Sequence, residues 1–313
     1  GLETVRALHN RNFRWFWFGS LGQASAQGMQ FLVMGWLVLQ LTDSSSQLGL
    51  VIFLYGAPNF GLLLFGGLIA DRLDRRKLVM ATQAVAGVVV LLLATSIVAD
   101  RVVMAHVYAA AFVLGVVQGL ELPGRMAMVS DLVAREDIMN AVSLNSAVMN
   151  TGRIVGPAVA GAIIEIAGLG AATVFNGSCY LLSFVRLMRV RTEPRPRSEV
   201  QGSVARELLE GLRYFASTLI VFTVIGLGFA FGLFASPYIQ VMPAFAKKVL
   251  DADAGGVGLL IAAAGIGSLL GNIGLASLGD FKHRNRLMIG SLVLLGVSLF
   301  VFAWSPWFWA SWA

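Results

Sequence analysis

Residues 67–99 read GLIADRLDRRKLVMATQAVAGVVVLLLATSIVA. Two opposite kinds of chain meet there. Asp71, Arg72, Asp74, Arg75, Arg76 and Lys77 crowd one short segment, and the run 78–99 that follows carries no charge. A helix needs roughly 20 apolar residues to cross the hydrocarbon core of a bilayer, so that run is long enough. Backbone in lipid must satisfy its own hydrogen bonds, which leaves helices or a closed barrel. Barrel strands are short and alternate in polarity. This run is continuous, so it predicts a helix.

The same pattern extends outward in both directions. Apolar spans are predicted near 15–41, 48–70, 78–99, 103–124, 140–167, 171–189, 216–240, 256–279 and 287–305, with a tenth beginning about Trp307. The whole 313-residue chain is 57% hydrophobic and 13% charged, with mean hydropathy +0.78. A soluble domain is nearer half apolar and a quarter charged. The expected fold is therefore an all-α, polytopic membrane protein of about nine to ten helices, with the lipid bilayer as its first partner.

The 23 Lys and Arg residues orient these spans. All but Arg101, Lys247, Lys248 and Arg153 fall in segments that alternate to one side. These are the N-terminus, the loops after spans 2, 4 and 8, and the polar stretch after span 6. Basic residues stay on the cytoplasmic side, so a multi-pass protein of the cytoplasmic membrane with a cytoplasmic N-terminus is predicted. The net charge of +6 is thereby explained by topology, and no nucleic-acid partner is expected. Trp15 and Trp17 at one end, and Trp304, Trp307, Trp309 and Trp312 at the other, suit interfacial belts. The lone Cys179 excludes an internal disulfide or a multi-cysteine metal site.

A shift of 209 residues superposes Gly49 on Gly258, Leu50 on Leu259, Gly56 on Gly265, Asp71 on Asp280, Arg75 on Arg284 and Lys77 on Arg286. That step implies a six-helix unit used twice in parallel. The predicted organisation is a six-helix bundle over 1–189, a cytoplasmic linker over 190–213 and an incomplete second bundle over 214–313. In the linker, Pro194 and Pro196 break helix, while Ala205, Leu208, Leu209 and Leu212 suggest a short amphipathic helix capped by Ser203. The first apolar run lacks the pattern of a cleavable signal peptide. Gly1 in place of Met and the apolar end at Trp307–Ala313 read as trimmed ends, with about three further helices expected.

Residues Gly67 to Lys77 resemble the loop signature of the major facilitator superfamily, Gly-x-Leu-Ala-Asp-Arg-x-Gly-Arg-Arg/Lys, with Asp74 where the second Gly usually stands. The resemblance implies a gating role for Gly67, Asp71, Arg72, Arg75 and Arg76, echoed by Asp280 and Arg284. An Asp at the membrane face can meet a helix N-terminus or an Arg of the facing bundle, and that contact can break when the transporter changes state. A loop that merely sets topology would explain the arginines but not Asp71 among them. In span 5, Gly152, Gly156, Pro157 and Gly161 resemble the superfamily's Gly-x-x-x-Gly-Pro motif, associated with export and exchange. Small residues four apart make a flat face for close helix packing, and Pro157 bends the helix. The same spacing serves ordinary packing in many membrane proteins.

Arg153 lies inside that motif, and an intramembrane Arg calls for a partner. Glu121 is the nearest candidate by depth, one turn from Arg125. The choice between a structural pair and a substrate or proton role stays open. Gln30, Asn145, Asn150 and Asn176 are the other polar residues in apolar surroundings, either lining a cavity or bonding across helices. The superfamily's drug/proton antiporters carry an Arg in span 4 before a Gln-Gly pair; here the pair is Gln118-Gly119 and the position is Gly115.

Across nearly its whole length the chain is similar to the siderophore-exporter and macrolide-efflux branch. The similarity runs through 70–76, 140–145, 153–158 and 210–214. It implies a twelve-helix secondary transporter that exports small organic molecules by alternating access, driven by the proton-motive force, with protons as partners and a monomer as the working unit. An importer on the same fold and a non-transporting sensor or assembly protein are the alternatives. An enzyme is the weakest rival, since the chain offers no nucleophile–base pair, metal cluster or phosphate loop, and no cofactor is expected.

Overall fold

A computed structural model describes residues 3–72, 74–191, 238–277 and 284–304. Among them are eight α-helices and no strand. A 3-10 turn, Glu3–His9, leads into α1 (Arg11–Thr42), α2 (Ser45–Arg72), α3 (Arg75–Val98) and α4 (Met104–Leu132). A second 3-10 turn, Arg135–Asp137, precedes α5 (Ile138–Met188). Then come α6 (Tyr238–Val249), α7 (Ala254–Ser277) and α8 (Arg284–Ala303). Most of the expected 190–213 linker and of the span expected over 216–240, and the tenth span expected from about Trp307, lie outside the described residues. Among the described residues, three stretches are long and apolar enough to cross a membrane: Arg75–Val98, Met104–Leu132 and Arg135–Met188.

Local chemistry sets the helix ends. Asn10 caps α1 by accepting from the backbone N–H groups of Asn12 (2.9 Å) and Phe13 (3.2 Å). Asp43 closes that helix in a left-handed conformation, φ 47°, its N–H returning to the Leu39 carbonyl at 3.1 Å. Within α5, Gly168 has φ 84° and ψ 168° and splits the helix into two limbs. A glycine reaches that conformation without a Cβ clash, so spans 5 and 6 are separated by a single residue rather than a loop.

Two predicted boundaries change. A helix is described from Tyr238 to Val249, past the expected end near residue 240, so Lys247 and Lys248 sit in its last turn rather than in a loop. Cations are favourable there because the last carbonyls lack intrahelical partners. Span 4, expected to stop at 124, continues past Pro123 to Leu132. Arg125 is thus inside the bundle, not in a cytoplasmic loop.

Small residues let the helices approach. Helix α1 packs most extensively on α5, α2 on α4, and α3 on both α4 and the second limb of α5. A Cβ placed on Gly156 would lie 2.9 Å from the Gly28 Cα, the Met29 nitrogen and the Ser25 oxygen, so only glycine fits. The large exposed apolar side chains, including Val88, Leu92, Phe112, Leu270, Val293 and Phe300, suit a hydrocarbon surround.

Two later helices dock on this set. Helix α6 meets α1 where Pro243 fills the space above Gly35, and its Phe245 ring lies 4.6 Å from that of Phe302 on α8. Helix α7 runs along the first limb of α5, with Gly258 against the Pro157 carbonyl, Gly265 against Ile154, and Gly161 against Ala254 and Gly255. Gly49 and Gly56 on α2 are the repeat counterparts of Gly258 and Gly265. They have no described atom within 4 Å of where a Cβ would stand.

Candidate functional site

Four features converge on α5 and its neighbours. The first is a buried ion pair. Arg125 donates from Nε and Nη2 to Glu121 Oε1 at 3.1 and 2.9 Å, and from Nη1 to Ser20 Oγ at 2.6 Å. Both charged residues are 2% exposed, and the guanidinium lies 5.3 Å over the Phe16 ring. The fully buried Gln83 amide sits near the Glu121 carboxylate without forming a hydrogen bond of good geometry to a described partner. The expected Glu121–Arg153 pair is therefore corrected. Residues four apart share a helix face, and Arg125 satisfies Glu121 without crossing to another helix.

The second is the seam along α5. Gly152 and Gly156 rest on Ala24 and Gly28 of α1, whereas Ile154, Pro157 and Gly161 face α7. The Gly-Pro motif thus serves two helices at once, one from each predicted half. Arg153 is exposed, and it has no hydrogen bond or ion pair among the described residues. The Tyr238 hydroxyl at the start of α6 is within electrostatic reach of it.

The third is the set of amides. Gln30 is buried and accepts from the Tyr180 hydroxyl at 2.6 Å. The Asn176 amide, oriented with nitrogen toward the Ala26 carbonyl and oxygen toward the Gln30 N–H, makes both contacts at 3.3 Å. These two residues bond across helices α1 and α5. Asn150 is half-buried, and so is Asn145, whose Oδ1 meets no described donor. Gln30 also lines a cavity of about 30 Å³ with Phe31, Tyr55 and Gln240.

The fourth is a pair of polar clusters at opposite ends of the bundle. At the Asn10 end, Arg75 donates from Nη1 to both Asp131 carboxylate oxygens at 3.2 and 3.0 Å, and Arg76 donates to the Met188 carbonyl at 2.8 Å. Asp74 accepts from the Lys77 N–H at 3.2 Å and caps α3, which accounts for an Asp where the signature has Gly. Arg186 and Arg189 stack over Trp15 at 5.2 and 4.8 Å, so this tryptophan is a stacking platform as well as an anchor. Gly67, Asp71 and Arg72 end α2 and Arg284 begins α8; their side chains, and Asp280 altogether, lie outside the described residues. At the Asp43 end, Lys247 donates to the Leu39 carbonyl at 2.9 Å and to Asp43 Oδ1 at 3.2 Å, and Lys248 donates to the Asp43 carbonyl at 2.8 Å. A cavity of about 640 Å³ opens beside them, lined by Glu165, Asp251 and Asp253. Among the described residues, no three of His, Cys, Asp and Glu gather in metal-ligating geometry.

A family profile described as transmembrane secretion effector, one of the major facilitator group, matches residues 3–312. The chain belongs to this family. The major facilitator is 28% identical over 311 residues to the multidrug efflux pump Tap of Mycolicibacterium fortuitum, covering 92% of this chain and 72% of Tap. It is 26% identical over 271 residues to the enterobactin exporter EntS of Escherichia coli O1:K1, covering 84% of this chain and 63% of EntS. Among solved structures it resembles an inward-facing, unoccupied bacterial homologue of the lysosomal transporter Spinster. That likeness has a TM-score of 0.59 at 17% identity, over 88% of this chain and 63% of that one. The POT family transporter PepTSo gives 0.55 at 16%, over 83% and 52%. At such identities the structures speak for the fold alone.

For a facilitator of this group, the antiporter arginine position in α4 has a steric explanation. Gly115 is buried, and a Cβ there would sit 2.8 Å from the Pro58 ring and 2.9 Å from the Tyr55 carbonyl carbon. No longer side chain fits while α2 and α4 are packed this closely. Sequence reasoning missed Ser20, Gln83, Asp131, Asp43 and Lys247. Gln83 was visible as a polar residue in an apolar run. The partners of Asp131 and Lys247 are far away in sequence, so nothing local marked them.

Proposed function

We propose that the facilitator exports small organic molecules, drug- or siderophore-like, across the cytoplasmic membrane by alternating access, driven by the proton-motive force. One observation carries this: the Gly152–Gly161 face of α5 lies between α1 and α7, at the seam between the two predicted halves. A glycine-lined seam lets two rigid bundles slide or rock with little side-chain obstruction. The names of the relatives, a multidrug efflux pump and an enterobactin exporter, support export and the substrate class. The contacts of α6 with α1, and of Gly161 with α7, cluster toward the Asp43 end. With a cytoplasmic N-terminus, this is the form closed to the outside. The bare Gly49 and Gly56 face of α2 suits a second-half counterpart of α5, in keeping with two six-helix bundles and a 190–213 linker. The working unit is a monomer.

The test is accumulation of a dye and siderophore panel in cells carrying the full-length protein, Asp71→Asn, or empty vector. Wild type should lower accumulation of at least one compound, a protonophore should abolish the difference, and Asp71→Asn should reduce it. Accumulation equal to empty vector across the panel refutes export. Uptake of the same compounds into inside-out vesicles fixes the direction, and its reversal would establish an importer.

A further inference from the structure

The first limb of α5 has four faces. Successive residues turn by about 100°, so contacts made by known residues locate the others. Gly152 and Gly156 point at α1. Ile154, Pro157 and Gly161 point to nearly the opposite side, at α7. Of the two remaining faces, one holds Val155 and Ile166, 45% and 86% exposed, and is mainly apolar. That face suits lipid. Arg153 projects from the other, and Asn150, one turn earlier, lies about 60° round toward the α7 side.

This polar face is covered toward the Asp43 end. Ala160 and Ile164 lie on it and are buried in the same cluster as Met242 and Ala244 of α6. One to two turns further along, the cover ends and Arg153 is exposed, with Tyr238 in electrostatic reach. Tyr238 begins the helix whose Gln240 lines the small cavity with Gln30 and Tyr55. Arg153 thus stands at the inner margin of the closure, between the helices of the two predicted halves. A guanidinium at membrane depth is costly unless a counter-charge meets it. Glu121 is committed to Arg125, and Glu165 lies about three turns away at the acidic mouth.

We propose that Arg153 is the anion-recognising residue of a transport site between the halves, and that the compounds carried there bear a carboxylate or another organic anionic group. The proposal deepens the transporter reading and rests on it. The planar guanidinium offers paired donors to such a group, and Asn150 adds an amide one turn away, on the side toward α7. Among the described residues no ion pair has to be broken to receive the ligand.

The experiment is binding to the purified full-length protein in detergent, read by fluorescence anisotropy. The anionic probe is carboxyfluorescein and the cationic control is rhodamine 6G. Wild type should bind carboxyfluorescein. Arg153→Gln should weaken it at least tenfold and Arg153→Lys by less, since lysine keeps charge but not the fork, while rhodamine 6G binding does not fall. Asn150→Asp supplies a second variant: it leaves the arginine in place but offers it an internal carboxylate one turn away, and should weaken carboxyfluorescein binding by a similar factor. Absence of anion binding in wild type, full retention in Arg153→Gln, or equal loss of both probes would each overturn the proposal. Binding needs no transport, so failed export in cells with intact anion binding counts against the exporter reading alone.

Discussion

Neutralising Glu121 isolates the energetics of the buried pair. Glu121→Gln preserves shape and one acceptor oxygen but removes the charge that Arg125 meets with two hydrogen bonds, at 2.9 and 3.1 Å. Both side chains are 3% exposed, so water cannot take over. Breaking a buried pair by removing one partner costs about 3–5 kcal/mol, because the other charge is left uncompensated. The retained amide oxygen and the Ser20 hydroxyl put this variant at the low end, about 3 kcal/mol, or roughly a hundredfold in the folding constant. Replacing both residues, Glu121→Leu with Arg125→Met, removes the stranded charge and should return stability to within about 1 kcal/mol of wild type. Reversible unfolding in mixed micelles, followed by tryptophan fluorescence across the double-mutant cycle, measures both numbers. A single variant within 1 kcal/mol of wild type, or a double variant no better than the single, would refute the assignment of this pair as a charge-compensated structural unit.

Three further outcomes follow from particular contacts. Gly156→Ala drives a Cβ into backbone atoms of α1 and should destabilise by about 1–3 kcal/mol in the same unfolding assay. Asp74→Ala removes the cap of α3 and should cost about 0.5–2 kcal/mol, while Asp74→Gly, the signature residue, should cost only a few tenths. Lys247→Ala with Lys248→Ala unties α6 from the end of α1; a partly exposed tie of this kind holds about 1 kcal/mol, so maleimide labelling of Leu48→Cys in a Cys179→Ser background should quicken roughly fivefold, and an unchanged rate would show that the tie does not hold that end closed.

Much of this was legible in one dimension. A continuous apolar run must be a helix in lipid because no water is there to satisfy its backbone, so 78–99 alone announced the helical class. The Gly-Pro spacing in α5 marked a packing face, and the structure places α1 and α7 against it. Glu121 stood out as an intramembrane charge because a span otherwise tolerates few, whereas Arg125 was counted with the loop that follows span 4. Their pairing was misassigned to Arg153 because depth along the membrane was weighed and position around the helix was not.

What the sequence by itself determined is therefore the helical, membrane-spanning character of the chain, its membership of the secretion-effector facilitators and the small-residue faces, all of which are local patterns of polarity and size. Only the tertiary structure decided which face meets which helix. It paired Arg75 with Asp131, seated Lys247 on the end of α1, closed α2 over Gly115 and left Arg153 without an ion-pair partner among the described residues. Those outcomes depend on rotation about each helix axis and on which helices become neighbours. Both are set by packing between segments far apart in the chain, where no short-range pattern reaches.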